Sequence, residues 1–105
     1  MTVSFSNPTY NLESIKNSFS SVNKLRMTKV ARQGAVALGM DDSDVIDAIQ
    51  SITSANFHKT MPPDKMPHLA NFDVYRITWK NTNIYTKFQD FGGFMVVSFK
   101  RDESR

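Results

Sequence analysis

Tyr85, Lys87, Gln89, Ser98 and Lys100 alternate along two strand-like runs, NIYTKFQDF (83–91) and FMVVSFK (94–100). Successive strand residues point to opposite faces. In the first run Tyr85, Lys87 and Gln89 therefore share one face, and Ile84, Thr86 and Phe88 share the other. In the second, Ser98 and Lys100 oppose an apolar set, Met95, Val97 and Phe99. One side of such a sheet is a core wall. The other carries a phenol, two amines, an amide and a hydroxyl, a set suited to gripping a polyanion. Cleaving an RNA phosphodiester without a metal needs one group to take the 2′-hydroxyl proton and another to protonate the departing 5′-oxygen. It also needs fixed positive charge on the phosphate. Lysine, arginine, tyrosine and histidine together fill these roles. A free lysine titrates near about 10.4, so acting as a neutral base at pH 7 takes a shift of roughly 3 units. The lysines are accordingly read as electrostatic clamps, with a tyrosine or histidine handling protons.

The elements that position these groups follow from periodicity and turn chemistry. A third run, FDVYRITWK (72–80), precedes the other two, with turns expected at Asn81-Thr82-Asn83 and Gly92-Gly93. Upstream, Asn11 caps a helix burying Leu12, Ile15 and Phe19, with Glu13 in its first turn. Leu25 to Thr28 reads as a short extended piece. Thr28 caps a second helix with an apolar stripe of Val30, Ala31, Ala35 and Leu38, ended by Gly39. Asp41 or Asp42 starts a third, burying Val45, Ile46, Ile49 and Ile52, and Ser54 to Thr60 is expected to be a last helical turn or two. Pro62, Pro63 and Pro67 break all periodicity, so MPPDKMPHLAN reads as an exposed loop that includes His68. Helices first and strands last predict an α+β fold, N-terminal helices packed on a C-terminal antiparallel β-meander.

The chain has 105 residues, which predicts one domain over 1–105 with a loose leader at 1–10. A hydrophobic content of 40% with 22% charged residues is that of a globular protein. Without cysteine there are no disulfides or thiolate metal sites, and two histidines make a structural metal site an unfavourable reading. No metal or cofactor is expected. No apolar run of transmembrane length and no signal peptide are present, so a cytoplasmic protein is expected. Asp41, Asp42, Asp44 and Asp47 crowd one segment and read as helix-capping charges. Outside that cluster thirteen basic side chains face six acidic ones, which favours nucleic acid as a partner. No G-x-S-x-G elbow or phosphate-cradling glycine loop occurs.

Four short strings then occur in order: NFHKTM (56–61), HLANFDVYR (68–76), IYTK (84–87) and VVSFK (96–100). They resemble the D-F-Y-K-S-M, H-x-x-x-Q-D-V-Y-R, V-Y-L-K and I-V-S-F-K segments of the motility quorum-sensing regulator (MqsR) family of mRNA interferase toxins. The correspondence runs from about Leu12 to Asp102. The resemblance implies a RelE-like toxin fold and sequence-selective endoribonuclease activity on mRNA, centred on GC-containing triplets. It also implies neutralisation by a cognate MqsA-like antitoxin with a zinc-binding N-terminal domain and a helix-turn-helix domain, and a target that is free or ribosome-bound message. The family's active lysines and tyrosine match Lys59, Lys100 and Tyr85. Its active glutamine is Phe72 here, and the neighbouring Asn71 faces the opposite way. Its tyrosine before the first lysine is His58, a candidate acid–base group.

Lys59, Tyr85 and Lys100 are thus the expected catalytic set, with His58, Arg76, Lys87, Gln89 and Ser98 on the substrate. Plainer roles exist for several of them. Lys59, at the end of a helix, would satisfy terminal carbonyls, and Arg76 would pair with Asp73 or Asp90. Trp79 aligns with Tyr75 and Ile77 as core, and His68 reads as simply exposed. The competing function is a non-enzymatic basic module that binds RNA or a protein partner.

Overall fold

A computed structural model describes residues 7–63 and 70–103. His68 and the greater part of the proline loop lie outside the described residues, as do residues 1–6. Three helices, α1 (Leu12–Ser18), α2 (Lys29–Ala37) and α3 (Asp42–Gln50), precede four strands, β1 (Phe57–Met61), β2 (Phe72–Trp79), β3 (Thr82–Asp90) and β4 (Phe94–Arg101). The strands form one antiparallel sheet in chain order. This is the expected α+β arrangement, with one strand more than the sequence suggested.

The helix starts follow their capping residues. Asn11 accepts from the Ser14 amide at 3.0 Å, and Thr28 from that of Ala31 at 3.1 Å. Asp41 and Asp44 form a reciprocal capping box at the head of α3. Asp42 pairs with Arg32 at 2.7 Å and Asp47 accepts from the Trp79 indole at 2.8 Å, so the acidic cluster is structural. Gln50 closes the end of α1 by donating to the carbonyls of Lys16 and Phe19. Ile15, Phe19, Val45, Ile49 and Ile52 then bury against Tyr75, Ile77, Ile84, Phe88, Val96 and Phe99 of the sheet.

Four expectations change. Ser54 to Thr60 is not helical beyond a single 3-10 turn at Ser54–Asn56, and Lys59 stands on β1. Pairing decides this: Phe57 sets its ring edge-on to Tyr75 at 5.6 Å, and Thr60 is buried against Asp73. The β2–β3 turn is Lys80-Asn81, both at positive φ (47° and 65°), so Thr82 and Asn83 already belong to β3. That is the primed hairpin geometry that matches strand twist. Next, β4 carries a bulge: Lys87 pairs with Ser98 but Phe88 with Val96, so Val97 is the extra residue. Val96 and Phe99 face the core, and Val97 is only half-buried. Lastly, Thr9 and Tyr10 are not loose. Their amides donate to the buried Asp73 carboxylate at 2.9 and 2.8 Å, and the Tyr10 hydroxyl donates to the Asn71 carbonyl.

The free edge of β4 is closed by the segment before α2. Val96 exchanges backbone hydrogen bonds with Arg26 and Thr28, which makes the expected extended piece at 25–28 a short parallel addition to the sheet. Helix α2 then lies on β4 so closely that a Cβ at Gly34 would stand 1.8 Å from the Phe99 carbonyl oxygen. Small residues make this approach possible: Ala31 and Ala35 are the buried positions of α2, while Val30, expected in its stripe, is 67% exposed.

Two stability outcomes follow. Gly34→Ala removes a poor helix former worth about 1 kcal/mol, yet is expected to destabilise by about 2 kcal/mol or more through that clash. Val96→Ala is expected to destabilise by about 2 kcal/mol, and Val97→Ala by much less. Urea titrations of the three variants check this order. Unchanged stability in Gly34→Ala refutes the close packing of α2 on β4.

Candidate active site

The face of the sheet turned away from the helices is organised in cross-strand rows, because directly paired residues share a face. One row runs Lys59, Val74, Lys87, Ser98 across the four strands. The next runs Arg76, Tyr85, Lys100 across β2, β3 and β4. His58 joins this second row through an irregularity. Phe57 pairs with Tyr75 and Lys59 with Val74, which leaves His58 as the additional residue of a bulge in β1. A bulge re-aims its side chain. The imidazole comes to 6.5 Å from the Tyr85 ring, nearly edge-on.

Tyr85 is the hub. The Lys100 ammonium lies 5.3 Å from its ring centre and that of Lys87 5.8 Å. The Lys59 and Lys87 side chains are half-buried, Lys100 is exposed, and Val74 between them has no exposed surface. Val74 is not part of the main core. Aliphatic lysine stems beside it keep their charged heads in water.

Arg76 is held by an acid that the sequence reading did not single out. Its Nε donates to Asp102 Oδ2 at 2.8 Å, where Asp73 or Asp90 had been the expected partner. Asp102 is 4% exposed, and its amide donates to the Asn83 carbonyl at 2.8 Å. The alternation Ser98, Lys100, Asp102 continues the polar face past the end of β4, and this was the available signal for it.

These charges set the proton affinities of the two groups able to move protons. Burial lowers the His58 pKa below its usual 6.5; the neighbouring Arg76 and Lys59 charges add to this, and Asp102 opposes it. Burial raises the Tyr85 phenol above 10, Asp102 pushes the same way, and Arg76 opposes. Near neutral pH the imidazole is therefore a free base, and the phenol keeps its proton.

Two recesses flank this ridge. A cleft of about 500 Å³ is lined by Gly34 and Ala37 of α2 together with Tyr85, Lys100 and Asp102. A smaller one of about 260 Å³ lies beside His58 and Arg76.

Of the residues singled out from sequence, His58, Lys59, Arg76, Tyr85, Lys87, Ser98 and Lys100 share this face. Gln89 behaves differently. It is 8% exposed, and its Nε2 donates to the Ala70 carbonyl at 2.7 Å, fixing the segment that enters β2. Trp79 packs against the core, as expected. Among the described residues no group of three or more His, Asp or Glu side chains is placed to hold a metal ion. No helix among them is long and apolar enough to cross a membrane.

Comparison with known proteins agrees with the four ordered strings. No individual curated protein matches the chain. A family model, "Motility quorum-sensing regulator, toxin of MqsA", matches residues 7–101, which spans all three helices and all four strands. The chain therefore belongs to the motility quorum-sensing regulator family, the toxin half of a toxin–antitoxin pair.

Proposed function

We propose that this toxin is an endoribonuclease that cleaves mRNA without a metal ion, through the face centred on Tyr85. The observation that carries the reading is the convergence of Lys59, Lys87, Lys100 and Arg76 around one protonated phenol and one neutral imidazole. The scissile phosphate sits among the lysines, which hold its charge as it grows in the transition state. His58 takes the proton of the ribose 2′-hydroxyl, whose oxygen bonds to the adjacent phosphorus. The P–O5′ bond breaks, and Tyr85 gives its proton to the departing oxygen. The products are a 2′,3′-cyclic phosphate and a 5′-hydroxyl end. Arg76, steadied by Asp102, adds positive charge beside His58 and so keeps the base unprotonated.

In this reading the lysines need no change of protonation during turnover. It differs in one respect from the set expected on resemblance: His58 is a catalytic base in addition to Lys59, Tyr85 and Lys100. Gln89 is structural. The partner is a cognate antitoxin of the MqsA kind, as the family description implies. Free and ribosome-bound message present the same phosphodiester to this face.

Purified protein is expected to cut single-stranded RNA in EDTA and to leave 5′-hydroxyl ends. Loss of cleavage in EDTA, restored by magnesium, would refute the mechanism. Lys59→Ala, Lys100→Ala, Tyr85→Phe and His58→Ala are each expected to lower kcat/KM by about 100-fold or more. Melting temperatures should scarcely move, surface changes usually being worth about 0.5 kcal/mol or less. RNA binding without cleavage in the wild type would instead favour a non-enzymatic basic module.

The pH profile carries its own sign. A base must be unprotonated, so kcat/KM rises with pH through the His58 pKa, below 6.5, and is flat at neutral pH. It falls again only above 10, where Tyr85 loses its proton. Arg76→Gln removes a cation that lowers the His58 pKa, so the acid limb should move to higher pH. An acid limb that does not respond to this substitution would exclude His58 as the base.

Expression of the toxin alone should arrest growth, and co-expression of the antitoxin encoded beside it should restore growth. Growth unaffected at high toxin levels would count against the nuclease reading.

A further inference from the structure

We infer that Phe72 is a stacking platform for a base of single-stranded RNA, with Lys87 seated at the phosphate between that base and Tyr85; this rests on the RNA-cleaving reading of the same face. Phe72 stands at the start of β2, on the side shared by Val74 and Arg76 and opposite the core-facing Tyr75 and Ile77. Its ring is half-buried. It belongs neither to the core cluster nor to the partly buried side chains packed against that cluster. The Lys87 ammonium lies over this ring, 5.6 Å from its centre. That is near the outer limit of about 6 Å for a cation over a ring, so the contact is a loose one that a base and its phosphate can replace.

The same ammonium lies 5.8 Å from the Tyr85 ring, so the two ring centres are no more than 11.4 Å apart and share one cation. Alternating rings and cations are what a single strand needs. Phosphates take the cations, and bases, which all have a π face, take the rings. The backbone under Phe72 is fixed. Its carbonyl accepts from Thr60 Oγ1 at 2.8 Å, and the next residue, Asp73, is clamped by the amides of Thr9 and Tyr10. A rigid support keeps the entropic cost of ordering the ring low. Stacking at Phe72 would also make recognition there tolerant of base identity, because no hydrogen-bonding group of this side chain reads a base edge.

The test uses full-length protein and a 2′-O-methyl RNA oligonucleotide, which lacks the nucleophile and so reports binding alone. Dissociation constants are measured by fluorescence anisotropy over a range of salt. Phe72→Leu keeps apolar bulk but removes the π face, and should weaken binding by about 5- to 100-fold. Its log–log salt slope and melting temperature should match the wild type. Phe72→Trp should bind at least as tightly as wild type, and Lys87→Ala should reduce the salt slope by about 0.7. When an abasic site is walked along the oligonucleotide, one position should abolish the difference between wild type and Phe72→Leu. Equal binding by Phe72→Leu, or a loss that persists at every abasic position, would overturn the platform. A wild type that binds the blocked oligonucleotide yet leaves unmodified RNA intact would overturn the nuclease reading and leave the platform standing. Cleavage by wild type with equal binding by Phe72→Leu would do the reverse.

Discussion

The structure depends first on the register between β2 and β3. Seven consecutive pairs, from Asp73 with Phe88 to Trp79 with Thr82, fix which side chain lies on which side of the sheet. A slip of β3 by one residue would turn Tyr85 and Lys87 toward the helices and expose Ile84 and Phe88. The hairpin prevents this because Lys80 and Asn81 both hold positive φ, a two-residue turn that admits only one pairing of its flanks. At the other end Asp73 locks the register from the side. Its fully buried carboxylate accepts from two backbone amides of the chain entering α1 and lies against Thr60 of β1. A buried carboxylate is stable only where such donors meet it. Core packing and the cationic face are therefore two results of one pairing decision.

Departures from regular pairing then adapt the polar face to chemistry. A regular β1 would put His58 and Lys59 on opposite sides of the sheet. The bulge lets both reach the face that carries Tyr85. The β4 bulge works differently. It returns Val96 to the core while Ser98, Lys100 and Asp102 keep their alternation on the other side. Both strands at the margins of the sheet are bulged: β1 is paired with β2 alone, which makes an inserted residue easy to accommodate, and the β4 bulge lies where Val96 is also tied to Arg26 and Thr28 on its other side. The central strands β2 and β3 run in unbroken register with each other.

Much of this was legible in the sequence where a short-range rule governs it. Period-two alternation gave the two faces of β3 as far as Phe88, failing only at the buried Gln89, and capping chemistry gave the starts of α1, α2 and α3. The misplacements share one cause, long-range pairing. Nothing local to Ser54–Met61 says that Thr60 will meet Asp73, and propensity alone cannot decide between a helical turn and an edge strand. Alternation alone puts Val97 in the core, because the bulge that interrupts it is created only by the pairing with β3. Asp73 and Asp90 lie inside the strand runs and suggest themselves as partners of Arg76, whereas its actual partner Asp102 lies just past the last run. Gly34 read as a small local penalty, and its reason is a contact with β4 some 65 residues away in sequence.

The electrostatics of the face explain why it can hold so much charge and still fold. Like-charged ammoniums repel, but Lys100 is exposed and Lys59 and Lys87 are half-exposed, so water screens them and the repulsion is modest. Arg76 is more enclosed, with a side chain 25% exposed, and it has a carboxylate at 2.8 Å. The most enclosed of these cations is thus the one held by a buried carboxylate. A polyanion that displaces the water loses that screening, and its attraction to the lysines strengthens as it docks. The proton-carrying groups respond in opposite directions to the same surroundings: burial disfavours the charged form of each, which is the imidazolium of His58 and the phenolate of Tyr85. Partial desolvation beside the cations therefore moves the two groups in opposite directions, the imidazole toward its neutral form and the phenol toward keeping its proton.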